Sequence, residues 1–224
     1  MKREPSDRGL VFDTPLLVAS TSPRRAEILR IVGWPFETCP VEIDESRAPR
    51  EEAPAYVERL ARAKAEAAVA RYPRQVVLGA DTVVVVDEQI LGKPVDEDDA
   101  RRMLRLLSGH WHSVLTGIAL RRAGNPSGHP AESEIARPDP GPDDNARPGS
   151  PGLCVVAHEV TQVGFAPMTD EEISWYVTTG EPFGKAGAYA IQGRAARFIE
   201  AIRGDYFNVV GLPVRLLYKL LREV

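Results

Sequence analysis

An aspartate lies in the middle of the most apolar segment of the chain. Residues 76–86 read VVLGADTVVVV, a run that is typical of a central strand covered on both faces. Asp81 stands within this run. A carboxylate is costly there unless it is paired, bound to a metal or facing a cleft. We therefore interpret Asp81 as a functional residue rather than a structural one.

Two adjacent arginines follow a short apolar strand at residues 16–19. Ser22 is predicted to be the N-cap of a helix that begins at Pro23, so Arg24 and Arg25 fall in its first turn. Cations in a first turn oppose the helix dipole, and an anion bound at this position would account for them. The alternative is a solvent-facing arginine pair that serves solubility.

Two lysines also occupy positions that packing does not explain. Lys64 falls on the apolar stripe of a helix predicted over residues 54–72. It either snorkels to the edge of that stripe or meets an anion in a cleft. Lys93 stands between a glycine and a proline, which define a rigid turn that would aim its ammonium group.

The unexplained charges suit one chemistry when they are taken together. They are the cations Arg24, Arg25, Lys64 and Lys93 and the acids Glu45 and Asp81. Cations hold the oxygens of a polyphosphate, and carboxylates hold Mg²⁺ or Mn²⁺. The set predicts attack by water on phosphorus, with a carboxylate or the metal activating the water. The sequence has no P-loop, kinase, G-x-G-x-x-G or G-x-S-x-G motif. P-loop enzymes, protein kinases, dinucleotide-dependent enzymes and serine hydrolases are therefore disfavoured.

Composition narrows the class of protein further. The 224 residues are 43% hydrophobic and 27% charged, which suits one domain or two closely packed lobes. A net charge of −4 gives no bulk electrostatic case for nucleic acid or an anionic membrane. No apolar run approaches the roughly 20 residues of a membrane span. Cys39 and Cys154 fit neither a zinc site nor a disulfide framework, so we expect free thiols and a cytoplasmic protein.

Two segments stand outside the pattern of alternating strands and helices. Residues 1–13 mix charges without an apolar core and are predicted to be a short tail rather than a secretory signal. Residues 124–151 are dense in Gly, Pro, Asp and Ser, and we interpret them as a disordered insertion between two paired strands.

His110 and His112 either bind a metal or form polar surface, and the lack of a third ligand nearby favours surface.

Five motifs occur in an order that resembles one known family. They are ASTSPRR at residues 19–25, GADT at 79–82, GKP at 92–94, KAGAYAIQG at 185–193 and NVVGLP at 208–213. Together they resemble the Maf family, historically called septum formation inhibitors and understood as nucleoside triphosphate pyrophosphatases. The resemblance covers the chain from about Leu16 onward apart from the insertion, so residues 14–224 are expected to form one domain.

The resemblance implies a fold, a reaction and roles for individual residues. The fold would be a mixed β-sheet with flanking helices, in two lobes around a central cleft, similar to the inosine triphosphatase architecture and often a homodimer. The reaction would split a nucleoside triphosphate into the monophosphate and pyrophosphate. Asp81 matches the proton acceptor, and Glu45 with Asp81 would hold the Mg or Mn ion. The implied substrate-binding residues are Ser22, Arg24, Arg25, Lys64, Thr82, Lys93 and Gln192.

The same resemblance separates branches of the family by their nucleotide. Arg24, Thr82 and Gln192 match specificity positions, and the last two favour the branch acting on dTTP and UTP. By the same resemblance, the branch acting on 7-methyl-GTP has Asp-Gln where this chain has Asp-Thr at 81–82, and Ser-Glu-Gly where this chain has Ile-Gln-Gly at 191–193. Two other interpretations stay open: a 7-methyl-GTP pyrophosphatase of the same family, and a nucleotide-binding regulator of cell division that does not hydrolyse its ligand.

Overall fold

The computed structural model describes residues 15–73, 75–123 and 152–223. Its strands are β1 (Leu16–Val18), β2 (Phe36–Thr38), β3 (Val77–Val86), β4 (Gln89–Leu91), β5 (Trp111–Arg122), β6 (Leu153–Phe165) and β7 (Ile199–Arg203). Its helices are α1 (Pro23–Ile31), α2 (Ala53–Val69), α3 (Glu97–Leu107), α4 (Asp170–Thr178), α5 (Tyr206–Val210) and α6 (Val214–Leu221). The tail predicted at 1–13 and the insertion predicted at 124–151 lie outside the described residues.

The strands form one mixed sheet in the order β2-β1-β3-β5-β6-β7, with β4 also paired to β3. Strand β1 is parallel to both β2 and β3, and the other pairs are antiparallel. The predicted fold class, a mixed β-sheet with flanking helices, is confirmed.

Strand β3 lies inside the sheet with apolar cover on both faces, as its sequence predicted. Leu78 and Val84 belong to the larger core cluster on one face, whereas Val77 and Val83 pack against α2 on the other. Because successive side chains of a strand point to opposite faces, Asp81 shares the α2 face with Val77 and Val83. Thr82 points to the opposite face.

Two glycines let α2 approach the sheet closely. A Cβ atom on Gly79 would overlap the carbonyl group of Ala61, and one on Gly117 would overlap that of Val57. The backbone of α2 therefore rests directly on β3 and β5 at these two points. This contact brings Lys64, one turn along α2 from Ala61, over the middle of β3.

The sheet has a gap beside Asp81. On one edge of β3, strand β1 pairs with Val77 and Leu78, and β4 begins to pair only at Val84. In the described residues, positions 79–83 have a strand partner only on their other edge, where β5 lies. The polar residues of β3 therefore face a break in the sheet where a cleft can form.

The two histidines near β5 have different surroundings from one another. His112 is buried, with Nε2 2.9 Å from the hydroxyl oxygen of Tyr189 and an edge-to-face contact with Phe165. The prediction of polar surface is wrong for His112, because its ring fills a buried aromatic cluster. The exposed His110 places Nδ1 2.7 Å from the carbonyl oxygen of Ser108. Over the described ranges, no set of three or more His, Cys, Asp or Glu side chains could hold a metal.

Candidate active site

A polar cleft of about 370 Å³ opens at the gap in the sheet. It is bounded by the β1–α1 turn, the loop after β2, helix α2, strand β3, and the loops before α3 and after α4. All nine residues that the sequence singled out lie along it: Ser22, Arg24, Arg25, Glu45, Lys64, Asp81, Thr82, Lys93 and Gln192.

The β1–α1 turn begins its helix as predicted, with Ser22 at the N-cap and Pro23 in the first turn. The expected capping bond from the Ser22 hydroxyl is not made. Instead, the Ser20 hydroxyl oxygen accepts the Ser22 N–H at 3.1 Å, because Ser20 lies on the inner side of the turn. Ser22 itself lines the cleft.

Arg25 is buried, so the solvent-facing interpretation of the arginine pair is wrong for this residue. Its guanidinium group donates to the carbonyl oxygen of Gly211 at 2.9 Å, to the Ser20 hydroxyl at 2.9 Å and to the Thr82 hydroxyl at 3.2 Å. Burial lowers the pKa of Arg25, and the nearby Asp81 charge opposes that effect. Arg25 thus joins α1, β3 and the turn that follows α5 beneath the cleft.

The hydrogen bonds around Thr82 determine which oxygen accepts its hydroxyl proton. The Thr116 hydroxyl donates to the carbonyl oxygen of Asn208 at 3.0 Å, so its oxygen must accept the Thr82 proton over the 3.0 Å that separates the two hydroxyls. The Thr82 oxygen meanwhile accepts from Arg25. Because its one proton is already used, Thr82 can only accept a hydrogen bond from a ligand in the cleft.

Three charged side chains converge on the α2 face of β3. The ammonium of Lys64 lies 2.6 Å from an Asp81 carboxylate oxygen and 2.7 Å from a Glu45 oxygen. The Lys64 side chain is 11% exposed and that of Asp81 14%, so both lie at the floor of the cleft. Of the two interpretations of Lys64, the structure supports the one in which its ammonium meets anions in a cleft.

Glu45 lies higher on the cleft wall than Asp81, with its side chain 46% exposed. Burial raises the pKa of this carboxyl, but the hydrogen bond and charge of Lys64, together with the charges of Lys93 and Arg25, outweigh it and the net shift is downward. Lys93 approaches to 4.0 Å from the other carboxylate oxygen. Glu45 is therefore an ionised group between two ammonium groups.

The loop that carries Glu45 is held by α2. The Tyr56 hydroxyl donates to the carbonyl oxygen of Glu45 at 2.7 Å, and Arg59 donates to that of Ser46 at 2.9 Å. Glu51 fixes Arg59 with two hydrogen bonds of 2.6 and 2.8 Å. One helix thus positions both Lys64 and the backbone of the acid opposite it.

Lys185 lies along the cleft and was not among the site residues predicted from the sequence. Its ammonium donates to the carbonyl oxygens of Glu181 at 2.6 Å and Phe183 at 3.3 Å. Burial lowers the pKa of Lys185, and the charge of Arg24 lowers it further. The available signal was the run of glycines that begins at Gly184, which indicates backbone close to a ligand and which includes Lys185.

The arrangement has a cationic wall and an acidic floor, a combination that can hold a phosphorylated anion and supply a carboxylate base beside it. The fold and the cleft define an α/β protein with a phosphate-handling site. The chain belongs to the family described as Maf-like protein, whose model matches residues 15–224.

Three relatives of the chain are each named dTTP/UTP pyrophosphatase. The protein of Symbiobacterium thermophilum is 48% identical over 93% of both chains, and that of Koribacter versatilis is 43% identical over 93% of both. The Chromobacterium violaceum protein is 43% identical over 94% of this chain and 95% of its own. None of the described helices is long and apolar enough to cross a membrane.

Proposed function

We propose that this protein is a nucleoside triphosphate pyrophosphatase that hydrolyses dTTP and UTP to the monophosphate and pyrophosphate. The observation that carries the proposal is the contact of Lys64 with both Asp81 and Glu45 inside a cleft that Arg24 and Lys185 also line. Relatives named dTTP/UTP pyrophosphatase, 43–48% identical over 93% of this chain, support the choice of substrates.

Asp81 is the proposed proton acceptor. A water molecule between its carboxylate and the α-phosphorus would give Asp81 its proton as the new oxygen–phosphorus bond forms. Pyrophosphate would leave from the opposite side with the electron pair of the bridging oxygen. The contact with Lys64 supports this role, because the ammonium holds the carboxylate in place at 2.6 Å.

The cationic residues are proposed to bind the phosphate oxygens. Arg24, Lys93 and Lys185 line the cleft with charges that an anion would compensate. Arg25 has three of its five N–H groups in protein hydrogen bonds, which leaves two for the same anion. Ser22 and Lys64 also lie along the cleft. With Thr82 and Gln192, which are proposed to contact the nucleotide base, they complete the proposed substrate-binding set.

Glu45 and Asp81 fit a divalent metal such as Mg²⁺ or Mn²⁺. Both carboxylates already converge on one cation, the Lys64 ammonium, at 2.7 and 2.6 Å. Mg²⁺ is commonly held by one or two carboxylates with substrate phosphates and water, so two acids suffice. When bound, the metal would neutralise phosphate charge and acidify a coordinated water.

Thr82 and Gln192 are proposed to contact the nucleotide base. Both line the cleft, and the Thr82 oxygen is restricted to accepting, as an N–H of a pyrimidine ring would require. The Gln192 amide can both donate and accept along a pyrimidine edge. One domain over residues 14–224, a homodimer and a cytoplasmic location stay predictions.

The test is a panel of nucleotides incubated with the full chain and Mg²⁺ or Mn²⁺, with pyrophosphate release measured for each. We expect release from dTTP and UTP, and its loss when a chelator removes the metal. Turnover of 7-methyl-GTP alone would move the protein to that branch of the family. Binding of dTTP without any pyrophosphate release would support the regulator and contradict the proposal.

A further inference from the structure

The carboxylate of Glu181 ties together two segments that flank the cleft. One oxygen accepts the hydroxyl of Tyr176 at 2.8 Å and the N–H of Ala195 at 3.2 Å. The other accepts the N–H of Arg194 at 3.0 Å. Burial raises the pKa of Glu181, but these donors outweigh it and the net shift is downward. A carboxylate can satisfy three such donors at once because both of its oxygens only accept.

The partner of Glu181 holds the other end of the same segment. The hydroxyl of Tyr176, a residue buried in α4, also accepts the N–H of Ala190 at 3.2 Å. The segment 190–195 is therefore tied at residue 190 by the tyrosine and at residues 194 and 195 by the glutamate. Gln192 lies between these ties and lines the cleft.

The hydrogen bonds of Glu181 and Tyr176 to residues 190, 194 and 195 form a clamp on this segment. The geometry at Gly193 is a second observation that supports the clamp. A Cβ atom at Gly193 would lie 2.5 Å from the carboxyl atoms of Glu181. Real Cβ atoms do not approach that closely, so a larger residue at this position would push the flexible end of Glu181 out of its present hydrogen bonds. The clamp and the residue next to Gln192 are thus mutually dependent.

We propose that Glu181 is a positioning residue which, with Tyr176, fixes the segment 190–195 and thereby sets the discrimination between nucleotide bases at Gln192. The proposal rests on the proposed nucleotide hydrolysis. Glu181 itself accepts bonds from the backbone and from Tyr176, so its effect on selectivity passes through the segment it holds.

The test compares Glu181→Gln and Tyr176→Phe with Glu172→Gln in the full chain. Glu172 is a matched control, because its carboxylate also accepts a backbone N–H, from Thr169 at 2.8 Å, at the start of α4, the helix that carries Tyr176. For each protein, kcat and KM are measured with dTTP and with CTP. The exchange rates of the Arg194 and Ala195 amide hydrogens report whether the segment has been released.

In Glu181→Gln we expect the ratio of kcat/KM for dTTP to that for CTP to fall about tenfold, mainly through KM for dTTP, while kcat changes less than about threefold. Tyr176→Phe should lower the ratio in the same direction and serves if Glu181→Gln does not fold. Amide exchange at Arg194 and Ala195 should accelerate in Glu181→Gln but not in Glu172→Gln.

An unchanged ratio in both clamp variants, with an active wild-type protein, would overturn this inference and leave the proposed function standing. A ratio that falls equally in Glu172→Gln would also overturn it, since loss of stability alone would then explain the change. A wild-type protein that hydrolyses no nucleotide would overturn both proposals together.

Discussion

Asp81, Lys64 and Glu45 form a line of alternating charge in which the ammonium stands between two carboxylates. The ammonium offsets the repulsion that two acids in one cleft would otherwise exert. Asp81 is the more buried of the two acids, at 14% exposure against 46% for Glu45. This difference favours Asp81 for proton transfer near a substrate and Glu45 for contact with a hydrated cation.

Replacing Asp81 with asparagine tests the proposed base. The amide keeps the size of the side chain but cannot take a proton, so we expect kcat to fall about 10²- to 10⁴-fold. Asp87→Asn is a matched control: Asp87 is exposed at the end of the same strand, with a φ of 47° that asparagine also tolerates. Pyrophosphate release from dTTP measures both variants. Full activity in Asp81→Asn would remove this residue from the proposed chemistry.

At the scale of elements, the contact between α2 and β3 positions the acidic floor of the cleft. Helix α2 carries Lys64 and holds the loop of Glu45 through Tyr56 and Arg59, while β3 carries Asp81. The approach of the two elements depends on the missing side chain at Gly79. Gly79, which has no side chain, thus controls the distance between Lys64 on α2 and Asp81 on β3.

Substituting Gly79 with alanine tests that dependence. The added methyl group must displace the backbone of Ala61, and overpacking of this kind costs about 1–3 kcal/mol in the free energy of unfolding. Gly92→Ala is the control for stability, since a Cβ atom there meets no atom within 4 Å. Urea unfolding of the two variants measures the difference. Equal stability would show that α2 shifts freely and does not fix Lys64.

At the scale of the whole molecule, much of the fold could be predicted from local patterns. The apolar run predicted β3, and Ser22 before Pro23 predicted the start of α1. The gap in the sheet could not be predicted, because it depends on where β1 and β4 stop pairing with β3. The sequence motifs likewise named Arg25 and Thr82 without showing that the two side chains are bonded to each other.

Burial of His112 was missed because alternation along a strand does not reveal which face meets the core. Its ring makes edge-to-face contacts with Tyr189 and Phe165, and its Nε2 lies 2.9 Å from the Tyr189 hydroxyl oxygen. Burial lowers the pKa of His112 to about 4. The folded protein therefore keeps this imidazole neutral under conditions in which the unfolded chain protonates it.

This difference predicts a dependence of stability on pH. The contribution of neutral His112 is complete above pH 6.5, its ordinary pKa, and is lost as the pH falls towards about 4. The loss amounts to roughly 3 kcal/mol over that interval. Urea unfolding at several pH values measures this loss. As the pH falls over the same interval, we expect His112→Gln to lose less stability than the wild type, and His110→Gln, at an exposed position, to lose as much as the wild type. Equal losses in all three proteins would contradict the assignment.

In the proposed reaction, water attacks the α-phosphorus of a pyrimidine nucleoside triphosphate in the cleft of Asp81. The most direct measurement is hydrolysis of dTTP by the full chain in ¹⁸O-labelled water, followed by mass spectrometry of both products. We expect one labelled oxygen in thymidine monophosphate and none in the pyrophosphate. Label in the pyrophosphate, or release of orthophosphate in its place, would contradict it.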